Sequence, residues 1–511
     1  MAEQSSAQPV HTYRLTQWLF LRGLGAIYFI AFTSLAVQID GLLGHSGISP
    51  ADDYLRAIGA SLHAPQHYFA LPTVAWFGTS NAFLNTYCWL GALAGLLVLL
   101  GIATGPCLLV AWVLYLSLVN IGQDFLSFQW DILLLEAGFV SMLWAPWCLF
   151  EPPWKWSLKA VTEPSLIGLW LLRWLVFRLM FLSGCVKLLS GDLAWRSLDA
   201  MKYHYETQPL PTPMAWFAHQ LPAAAQSLSS GGVFFIELIV PFLIFCPRHF
   251  REAAALFIIG LQILIMVTGN YTFFNLLTIC LCLSLCDDQF LAHFVPSNMR
   301  QGVCGESVPA SASTTAYRAQ RTVLIATAVL IGALNVTQLS EMLIGPDSVA
   351  APAKAVSELT SPFHIVNTYG LFAVMTTRRY EITVEGTKDG EHWIPYTFKY
   401  KPGPLDRAPP VVAPHQPRLD WQMWFASLGS VDSNQWFVSF MRRLLEGTPE
   451  VVRLLERNPF PDNPPKAVRA RLSTYTFTNS AEKAQSGKWW RSVDAGTYLR
   501  SVTLGDFRKS D

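Results

Sequence analysis

The chain has 511 residues, of which 52% are hydrophobic and only 14% are charged, and its mean hydropathy is +0.32. Soluble domains carry about 25% charged residues, so this composition excludes an entirely soluble protein and indicates a membrane protein with a soluble part. The formal net charge of +1 argues against a nucleic-acid partner, because nucleic-acid binding needs a concentrated basic face.

Apolar runs recur along the amino-terminal two thirds of the chain. A helix needs about 17–25 predominantly apolar residues to cross a bilayer, and nine runs approach that length. They lie near 19–39, 83–103, 106–120, 131–150, 167–188, 232–246, 253–268, 272–286 and 321–340. Some are short or closely spaced, so eight spans are the alternative count. The sequence therefore predicts a polytopic α-helical membrane protein.

Loop charges predict how these spans are oriented. Basic residues of alternate loops share one side of the membrane if nine spans alternate: Arg14, Lys155, Lys159, Arg248, Arg251, Arg300, Arg318 and Arg321. Positively charged loops remain in the cytoplasm, so the amino terminus and the connector 287–320 are predicted to be cytoplasmic. The carboxy-terminal region then lies outside, in a periplasm or lumen. No cleavable signal is expected, because MAEQSSAQPVHTYR is polar.

The carboxy-terminal region has a β-rich pattern. Arg379–Gly386 alternates and is rich in β-forming residues, Lys388-Asp389-Gly390 supplies a turn, and His392–Lys401 returns as a partner strand. Further strands are predicted over 467–478 and 496–504.

Two short amphipathic helices are predicted within 434–457, broken at Gly447-Thr448-Pro449. The predicted organisation then has four parts. These are a cytoplasmic amino terminus (1–18), a transmembrane helical domain (19–340), a linker (341–363) and a β-rich extracytoplasmic domain (364–511).

Ionisable residues interrupt the predicted spans. A charge at membrane depth costs roughly 2.5–3.5 kcal/mol on insertion scales, so such residues are usually paired or face a cavity. The predicted membrane polar cluster comprises Asp124, Asp131, Glu136, Arg173, Arg178, Lys187, Asp192 and Glu237. Asp131 and Glu136 of the fourth span are expected to pair with the arginines of the fifth, either as a structural ion pair or as part of a substrate site. The stretch NYTFFN (270–275) adds polar groups near the same face.

Lys187 is the sharpest candidate for chemistry. A lysine partly removed from water gives up its proton more readily and can act as a base. If the protein is an enzyme, its catalytic residues are predicted to be Lys187, Glu136 and His204. The structural interpretation is that Lys187 snorkels beside Trp195 or pairs with Glu136.

No metal or cofactor is predicted. The nine cysteines lie in the first 304 residues, mostly in apolar runs, and ICLCLSLC (279–286) lacks a second ligand cluster. The sequence contains neither the Gly-x-Ser-x-Gly nor the His-Glu-x-x-His pattern that would support a hydrolase.

Several motifs resemble those of a known family. Three stretches of the membrane part resemble the lipase maturation factor family of polytopic membrane proteins: DFLSFQWDILLLEAGF (124–139), FRLMFLSGCVKLLSGDLAW (177–195) and YHYETQPLPTPMAWFAHQLP (203–222). Four carboxy-terminal stretches carry the same resemblance: VNTYGLF (366–372), TTRRY (376–380), PHQPRLDWQMW (414–424) and NPF (458–460). The pattern Lys-Leu-x-x-x-Asp-x-x-Trp at 187–195 more distantly resembles the transmembrane (HTTM) domain of vitamin K-dependent gamma-carboxylase.

The first resemblance implies a membrane chaperone that assists the folding and assembly of secreted lipases in the endoplasmic reticulum, with a lumenal carboxy-terminal domain that engages the client. A bacterial homologue lies in the inner membrane and serves another exported protein; membrane lipid is the other expected partner. The patch predicted to bind the client comprises His415, Arg418, Asp420, Trp421 and Trp424, since Trp and Arg dominate protein interfaces. The alternative is that the tryptophans fill the β core and Arg418 and Asp420 lock a loop.

The second resemblance implies an enzyme that acts on a quinone or lipid, with Lys187 as the base, as the matching lysine of the carboxylase is understood to be. This alternative predicts an enclosed cavity around Lys187 with Glu136 or His204 nearby. A chaperone instead predicts that patches within 364–480 carry the function. A transporter is less favoured, because the sequence shows no inverted repeat of interrupted helices.

Overall fold

A computed structural model describes residues 12–62, 65–150, 164–297 and 315–507. The chain divides into a helical membrane part and a β-rich carboxy-terminal part. Several features discussed above lie outside the described residues. They are residues 1–11, Lys155, Lys159, Arg300, the last of the nine cysteines (Cys304) and the middle of the 287–320 connector.

Nine helices coincide with the nine predicted apolar runs. They are α1 (Arg14–Ala36), α2 (Asn81–Leu100), α3 (Thr104–Ile121), α4 (Gln129–Trp144), α5 (Leu166–Leu189), α6 (Ala223–Phe245), α7 (Arg248–Thr268), α8 (Phe274–Leu285) and α9 (Thr315–Leu343). Within the described ranges, seven helices are long and apolar enough to cross a membrane, and α4 and α8 are shorter. The chain is a multi-pass membrane protein, while the count of nine spans stays a prediction.

The local sequence explains why α4 and α8 are shorter than predicted. α4 ends at Trp144 rather than near residue 150, because Pro146 holds the preceding Ala145 in extended backbone at ψ 147°. α8 begins at Phe274, because Thr272 takes left-handed backbone with φ +62°, which residues with a Cβ atom rarely adopt.

α1 and α2 pack backbone to backbone at a pair of glycines. A Cβ atom at Gly25 would lie 2.5 Å from the nitrogen of Leu99, and one at Gly95 would lie 2.7 Å from the nitrogen of Phe29. Glycine permits such close approach between membrane helices. Any larger side chain at either position would therefore force these helices apart.

Short helices connect the long ones. Between α1 and α2 lie Ile39–Leu43, Ala51–Ser61, Gln66–Ala70 and the 3-10 turn Val74–Phe77, and Gln123–Leu126 precedes α4. Between α5 and α6 lie Leu193–Arg196, Ala200–Thr207 and Pro213–His219. Asp288–Leu291 follows α8, and Pro346–Ser348, Ala351–Thr360 and Ser361–Phe363 follow α9.

The carboxy-terminal part is built on an antiparallel sheet. Its strands are β1 (Arg379–Thr387), β2 (Ile394–Pro395), β3 (Thr397–Phe398), β4 (Leu455–Arg457), β5 (Ala467–Phe477) and β6 (Trp490–Thr503). Four strands form one sheet in the order β2-β1-β5-β6, and β3 pairs separately with β4. In this register Ile382 lies opposite Leu472. The helices of this part are α10 (Arg418–Ser427), α11 (Gln435–Glu446) and the shorter Val431–Ser433, Pro449–Val452, Ser480–Ser486 and Leu504–Phe507.

The predicted hairpin is present in altered form. Its turn is closed by the carboxylate of Asp389, which accepts hydrogen bonds from the amides of Glu391 and His392 at 2.9 and 2.8 Å. The single return strand predicted over 392–401 is wrong. Only Ile394–Pro395 forms a strand against β1. The amide of Tyr396 still donates to the carbonyl of Val384 in β1 at 2.9 Å, and β3 then turns away to pair with β4.

One hydrophobic core runs from the membrane helices into the carboxy-terminal part. The ring centroids of Trp130 in α4 and Trp421 in α10 lie 4.8 Å apart, and those of Phe125 and Trp436 in α11 lie 5.6 Å apart. The two parts therefore pack directly against each other.

Candidate functional site

A buried carboxylate on α4 ties the membrane helices to the start of the carboxy-terminal part. Glu136 forms an ion pair with Arg178 of α5, as the sequence predicts. The second oxygen of Glu136 accepts hydrogen bonds from the hydroxyl of Tyr369 at 2.7 Å and the amide of Asn367 at 2.9 Å. Arg178 also donates to the carbonyl of Asn367 at 3.0 Å. Residues 367–369 are therefore held at the helices by charge-assisted hydrogen bonds.

A second buried ion pair joins α4 to α10. Both terminal nitrogens of Arg418 donate to the carboxylate of Asp131, at 3.0 and 2.9 Å. Tyr115 of α3 donates to the same carboxylate at 2.5 Å, and Arg418 also donates to the carbonyl of Phe125 at 2.6 Å. The expected pairing of Asp131 with Arg173 or Arg178 is thus wrong, because its partner comes from the carboxy-terminal part.

The other charged members of the predicted polar cluster have separate roles. Arg173 donates to the carbonyl of Ser284 at 2.9 Å and lies 4.9 Å from the ring centroid of Trp170. Asp192 caps the helix Leu193–Arg196 by accepting from the amide of Trp195 at 3.0 Å. Asp124 is exposed. These residues do not form one cluster.

The residues predicted to bind a client do not form an exposed patch. Arg418, Asp420, Trp421 and Trp424 are at most 7% exposed. Asp420 uses its carboxylate internally: it accepts from the amides of Tyr400 and Lys401, both at 2.8 Å, and burial raises its pKa. The Trp424 indole donates to the carbonyl of Thr207 at 2.8 Å. The tryptophans belong to the core, and Arg418 locks onto Asp131 rather than Asp420.

His415, the fifth member of that predicted patch, is half-buried against α1. Its Nδ1 lies 2.9 Å from the hydroxyl of Ser34, which itself accepts from the amide of Gln416 at 2.8 Å. The serine proton is therefore free to be donated to an unprotonated imidazole. Burial, and next the positive charge of Arg418, lower the pKa of His415 to about 4.

Lys187 of α5 pairs with Glu237 of α6. The ammonium nitrogen lies 2.8 and 3.0 Å from the two carboxylate oxygens and 3.1 Å from the carbonyl of Ser183. It also lies 5.3 Å from the ring centroid of Trp195. The predicted neighbour Trp195 is therefore confirmed, whereas the predicted ion-pair partner Glu136 is wrong, because Glu136 pairs with Arg178.

Local structure explains how Glu237 reaches the lysine. Residues Phe235–Ile239 form a π-helical turn within α6, followed by a 3-10 segment that contains Pro241; such turns are frequent at functional sites. Gly184 lets the helices approach, because a Cβ atom there would lie 2.6 Å from Leu238 and 3.1 Å from the Cβ of Glu237.

The ion pair lies in the wall of a cavity of about 420 Å³ between α5, α6, α7 and α8. The helices Ala200–Thr207 and Pro213–His219 and the loop at Leu371 and Phe372 complete the wall. The Trp195 indole donates to the carbonyl of Phe372 at 2.8 Å, so the carboxy-terminal part helps to close this cavity.

The polar lining of the cavity includes His204, Gln262, Tyr271 and Asn275. Burial, and next the positive charge of Lys187, lower the pKa of His204 to about 4, so its imidazole is neutral at pH 7. Gln262 is absent from the predicted set. Its signal in the sequence is a lone amide in an apolar helix, which needs an internal partner in a membrane.

The predicted catalytic trio is only partly brought together. Lys187 and His204 share the cavity, whereas Glu136 belongs to the separate cluster with Arg178. Within the described ranges, no group of three or more His, Cys, Asp or Glu side chains could hold a metal ion. The arrangement is suited to binding an apolar molecule with a small polar end.

The fold and the site define a polytopic membrane protein whose β-rich part is held on its helices by a buried ion pair and by hydrogen bonds to a second one. Residues 15–293 match the family model described as "Lipase maturation factor transmembrane domain", and residues 365–500 match "Lipase maturation factor C-terminal domain". The chain therefore belongs to the lipase maturation factor family.

Relatives of this family are similar along nearly the whole chain. The chain is 38% identical to "Lipase maturation factor 2" of Homo sapiens over 597 residues, which cover 96% of this chain and 83% of the relative. It is 37% identical to the Gallus gallus protein of the same name over 586 residues, covering 96% and 81%. It is 32% identical to "Lipase maturation factor 1" of Bos taurus over 526 residues, covering 97% and 90%. No solved structure matches the chain.

Proposed function

We propose that this protein is a membrane-bound maturation factor that assists the folding and assembly of secreted lipases. The observation that carries the proposal is the similarity to proteins named lipase maturation factors over 96% or more of the chain. In a eukaryotic cell the protein acts in the endoplasmic reticulum membrane, and in a bacterium it acts in the inner membrane on an exported protein. The loop charges support a carboxy-terminal part on the lumenal or periplasmic side.

We further propose that the client contacts the outer edge of β6. This strand has 14 residues and lies at the end of the sheet, and no other described strand pairs with its second side. Most of its residues are exposed, including Val493 at 69%. Unpaired amides and carbonyls of an edge strand bind an extended segment by adding it to the sheet. Such main-chain recognition suits an incompletely folded lipase, because it depends little on the client's sequence.

The carboxylase-like alternative is not favoured. The relatives are named for lipase maturation. Glu136 is paired with Arg178 and does not contact Lys187, whose partner is Glu237. The Lys187–Glu237 pair instead supports a structural role, in which each charge offsets the cost of burying the other.

Complementation of a lipase-secretion defect tests the proposal. The chain is expressed in cells that lack their own maturation factor, and secreted lipase activity is measured at matched abundance of the chain. Val493→Lys places a charge on the proposed edge and is expected to reduce rescue at least twofold. The matched control is Ile394→Lys on the opposite edge strand β2, where residue 394 is 44% exposed, and it is expected to rescue normally.

A photo-crosslinking amino acid at the same two positions gives an independent readout. We expect it to capture the lipase from position 493 and not from position 394. Equal capture from both positions, or normal rescue by Val493→Lys, would remove β6 as the client surface. Failure of the wild-type chain to rescue any secreted lipase would remove the maturation function itself.

A further inference from the structure

The cavity beside the Lys187–Glu237 pair contains two buried acceptor atoms that have no hydrogen-bond partner among the described residues. They are Nδ1 of His204 and Oδ1 of Asn275. Asn275 is only 1% exposed. Buried polar atoms are almost always satisfied, so an unpaired atom in a cavity wall indicates a partner from outside the chain.

The hydrogen bonds around these atoms define both as acceptors. The Tyr271 hydroxyl donates to Oε1 of Gln208 at 3.0 Å, so its oxygen is left to accept from Nε2 of His204 at 3.4 Å. In a neutral imidazole the other ring nitrogen then carries only a lone pair. Asn275 donates its amide nitrogen to Oε1 of Gln262 at 2.8 Å, which leaves its own oxygen free. Both atoms therefore require a ligand that supplies hydrogen-bond donors.

The rest of the cavity wall is mainly apolar. Leu179, Met180 and Ile236 contribute to it, and two lining leucines, Leu221 and Leu264, are 46% and 65% exposed. Leu264 belongs to α7, a helix long and apolar enough to span the membrane. A leucine that both lines the cavity and faces outward on a span marks a mouth that opens toward the hydrocarbon of the bilayer.

The charges and the volume restrict the ligand further. Lys187 and Glu237 satisfy each other at 2.8 Å, so the wall presents no unpaired charge for a charged headgroup, and Glu237 repels a carboxylate. The volume of about 420 Å³ lies near the lower end of ligand pockets, which range over roughly 300–1,000 Å³. This size favours one hydrocarbon chain over two.

We propose that this cavity binds a neutral amphiphile with a single hydrocarbon chain and a hydroxylated headgroup, of the monoacylglycerol class. The headgroup hydroxyls donate to Nδ1 of His204 and Oδ1 of Asn275, and the chain lies between α5, α6 and α7. This binding site is distinct from the proposed client surface on β6 and does not depend on the lipase function.

Photo-labelling of the purified full chain tests the proposal. The probe is a monoacylglycerol that carries a diazirine and an alkyne in its chain, and the labelled peptides are mapped by mass spectrometry. We expect labelling at the cavity wall. 1-Monooleoylglycerol is expected to compete about tenfold better than methyl oleate, which has the same chain without donors, because two hydrogen bonds are lost. Equal competition, or labelling spread over the outward faces of the spans, would overturn the proposal.

Two adjacent glycines of α6 provide a matched pair of variants. Gly232 lines the cavity and Gly231 does not, and a Cβ atom at either position meets no atom within 4 Å. Gly232→Leu is expected to fill the cavity and abolish labelling, whereas Gly231→Leu is expected to label like the wild type. Undiminished labelling of a folded Gly232→Leu variant would contradict the site. If that variant does not fold, the competition ratio in the wild-type protein still decides the question.

Discussion

Asp131 of the membrane helices and Arg418 of the carboxy-terminal part form a buried ion pair, and losing one partner of such a pair is costly. Both side chains are at most 1% exposed. Replacing Arg418 by methionine leaves the Asp131 carboxylate buried with the Tyr115 hydroxyl, at 2.5 Å, as its one remaining side-chain donor among the described residues. Removing one partner of a buried pair costs about 3–5 kcal/mol, because the remaining charge is uncompensated. We therefore expect Arg418→Met to lower the free energy of unfolding by about that amount.

Thermal unfolding of the purified protein in detergent measures this loss. An exposed ion pair of the same part serves as the control: Arg471 donates to Asp494 at 2.7 Å, and the two side chains are 43% and 59% exposed. Solvent screens such pairs, so Arg471→Met is expected to unfold like the wild type. Limited proteolysis gives a second readout, because Arg418→Met should loosen the carboxy-terminal part from the helices.

A double substitution distinguishes the cost of leaving Asp131 unpaired from the cost of losing the Arg418 side chain itself. Asp131→Leu combined with Arg418→Met removes both charges, so the double variant should be more stable than Arg418→Met alone. The reasoning is refuted if Arg418→Met costs less than about 1 kcal/mol, the range of an exposed pair, or if the two substitutions simply add.

Two further predictions follow from neighbouring contacts. Tyr369→Phe removes a 2.7 Å hydrogen bond to the buried Glu136 carboxylate. Because a hydrogen bond to a charged group contributes about 1.5–3 kcal/mol, the same unfolding assay should show a loss of that size. An unchanged unfolding midpoint would contradict this prediction. His415 has a folded pKa of about 4, below its ordinary 6.5, so the unfolded chain binds more protons between these values and stability falls as the pH drops from 6.5 to 4. His415→Gln should lose less stability over that window than the wild type, and identical pH profiles would contradict the lowered pKa of His415 in the folded protein.

The sequence predicts the helices well because long apolar runs carry their own signal. It also places β1 and the turn at Asp389, where alternation and turn residues coincide. The partner of Asp131, in contrast, could not be predicted from a local pattern. Arg418 lies 287 residues away, and no local pattern encodes a contact of that separation.

The spacing of Asp131 and Glu136 in the sequence does indicate that they have different ion-pair partners. Asp131 and Glu136 are five residues apart, which places them about 140° apart around a helix of 3.6 residues per turn. They therefore cannot both face the arginines of one neighbouring helix, and the structure sends them to different partners.

The client-binding prediction was wrong because it assumed that polar residues are exposed. The stretch from Arg418 to Trp424 mixes charged, amide and aromatic residues, a composition typical of an interface. The structure buries it because nearly every polar group finds an internal partner, as Arg418 does on Asp131 and Asp420 on the amide of Lys401. The partner of Lys187 was also beyond prediction, because the π-helical turn that presents Glu237 has no sequence signature of its own.

The most direct test of the account is a rescue measurement with the Lys187–Glu237 pair replaced by neutral residues. Lys187→Met with Glu237→Gln removes the predicted base Lys187 while avoiding an uncompensated buried charge. A maturation factor that works through its carboxy-terminal part should, at wild-type abundance, restore secreted lipase activity to the wild-type level. Loss of rescue by a double variant of normal abundance and unfolding temperature would contradict the account, because it would place the working chemistry at Lys187 in the membrane.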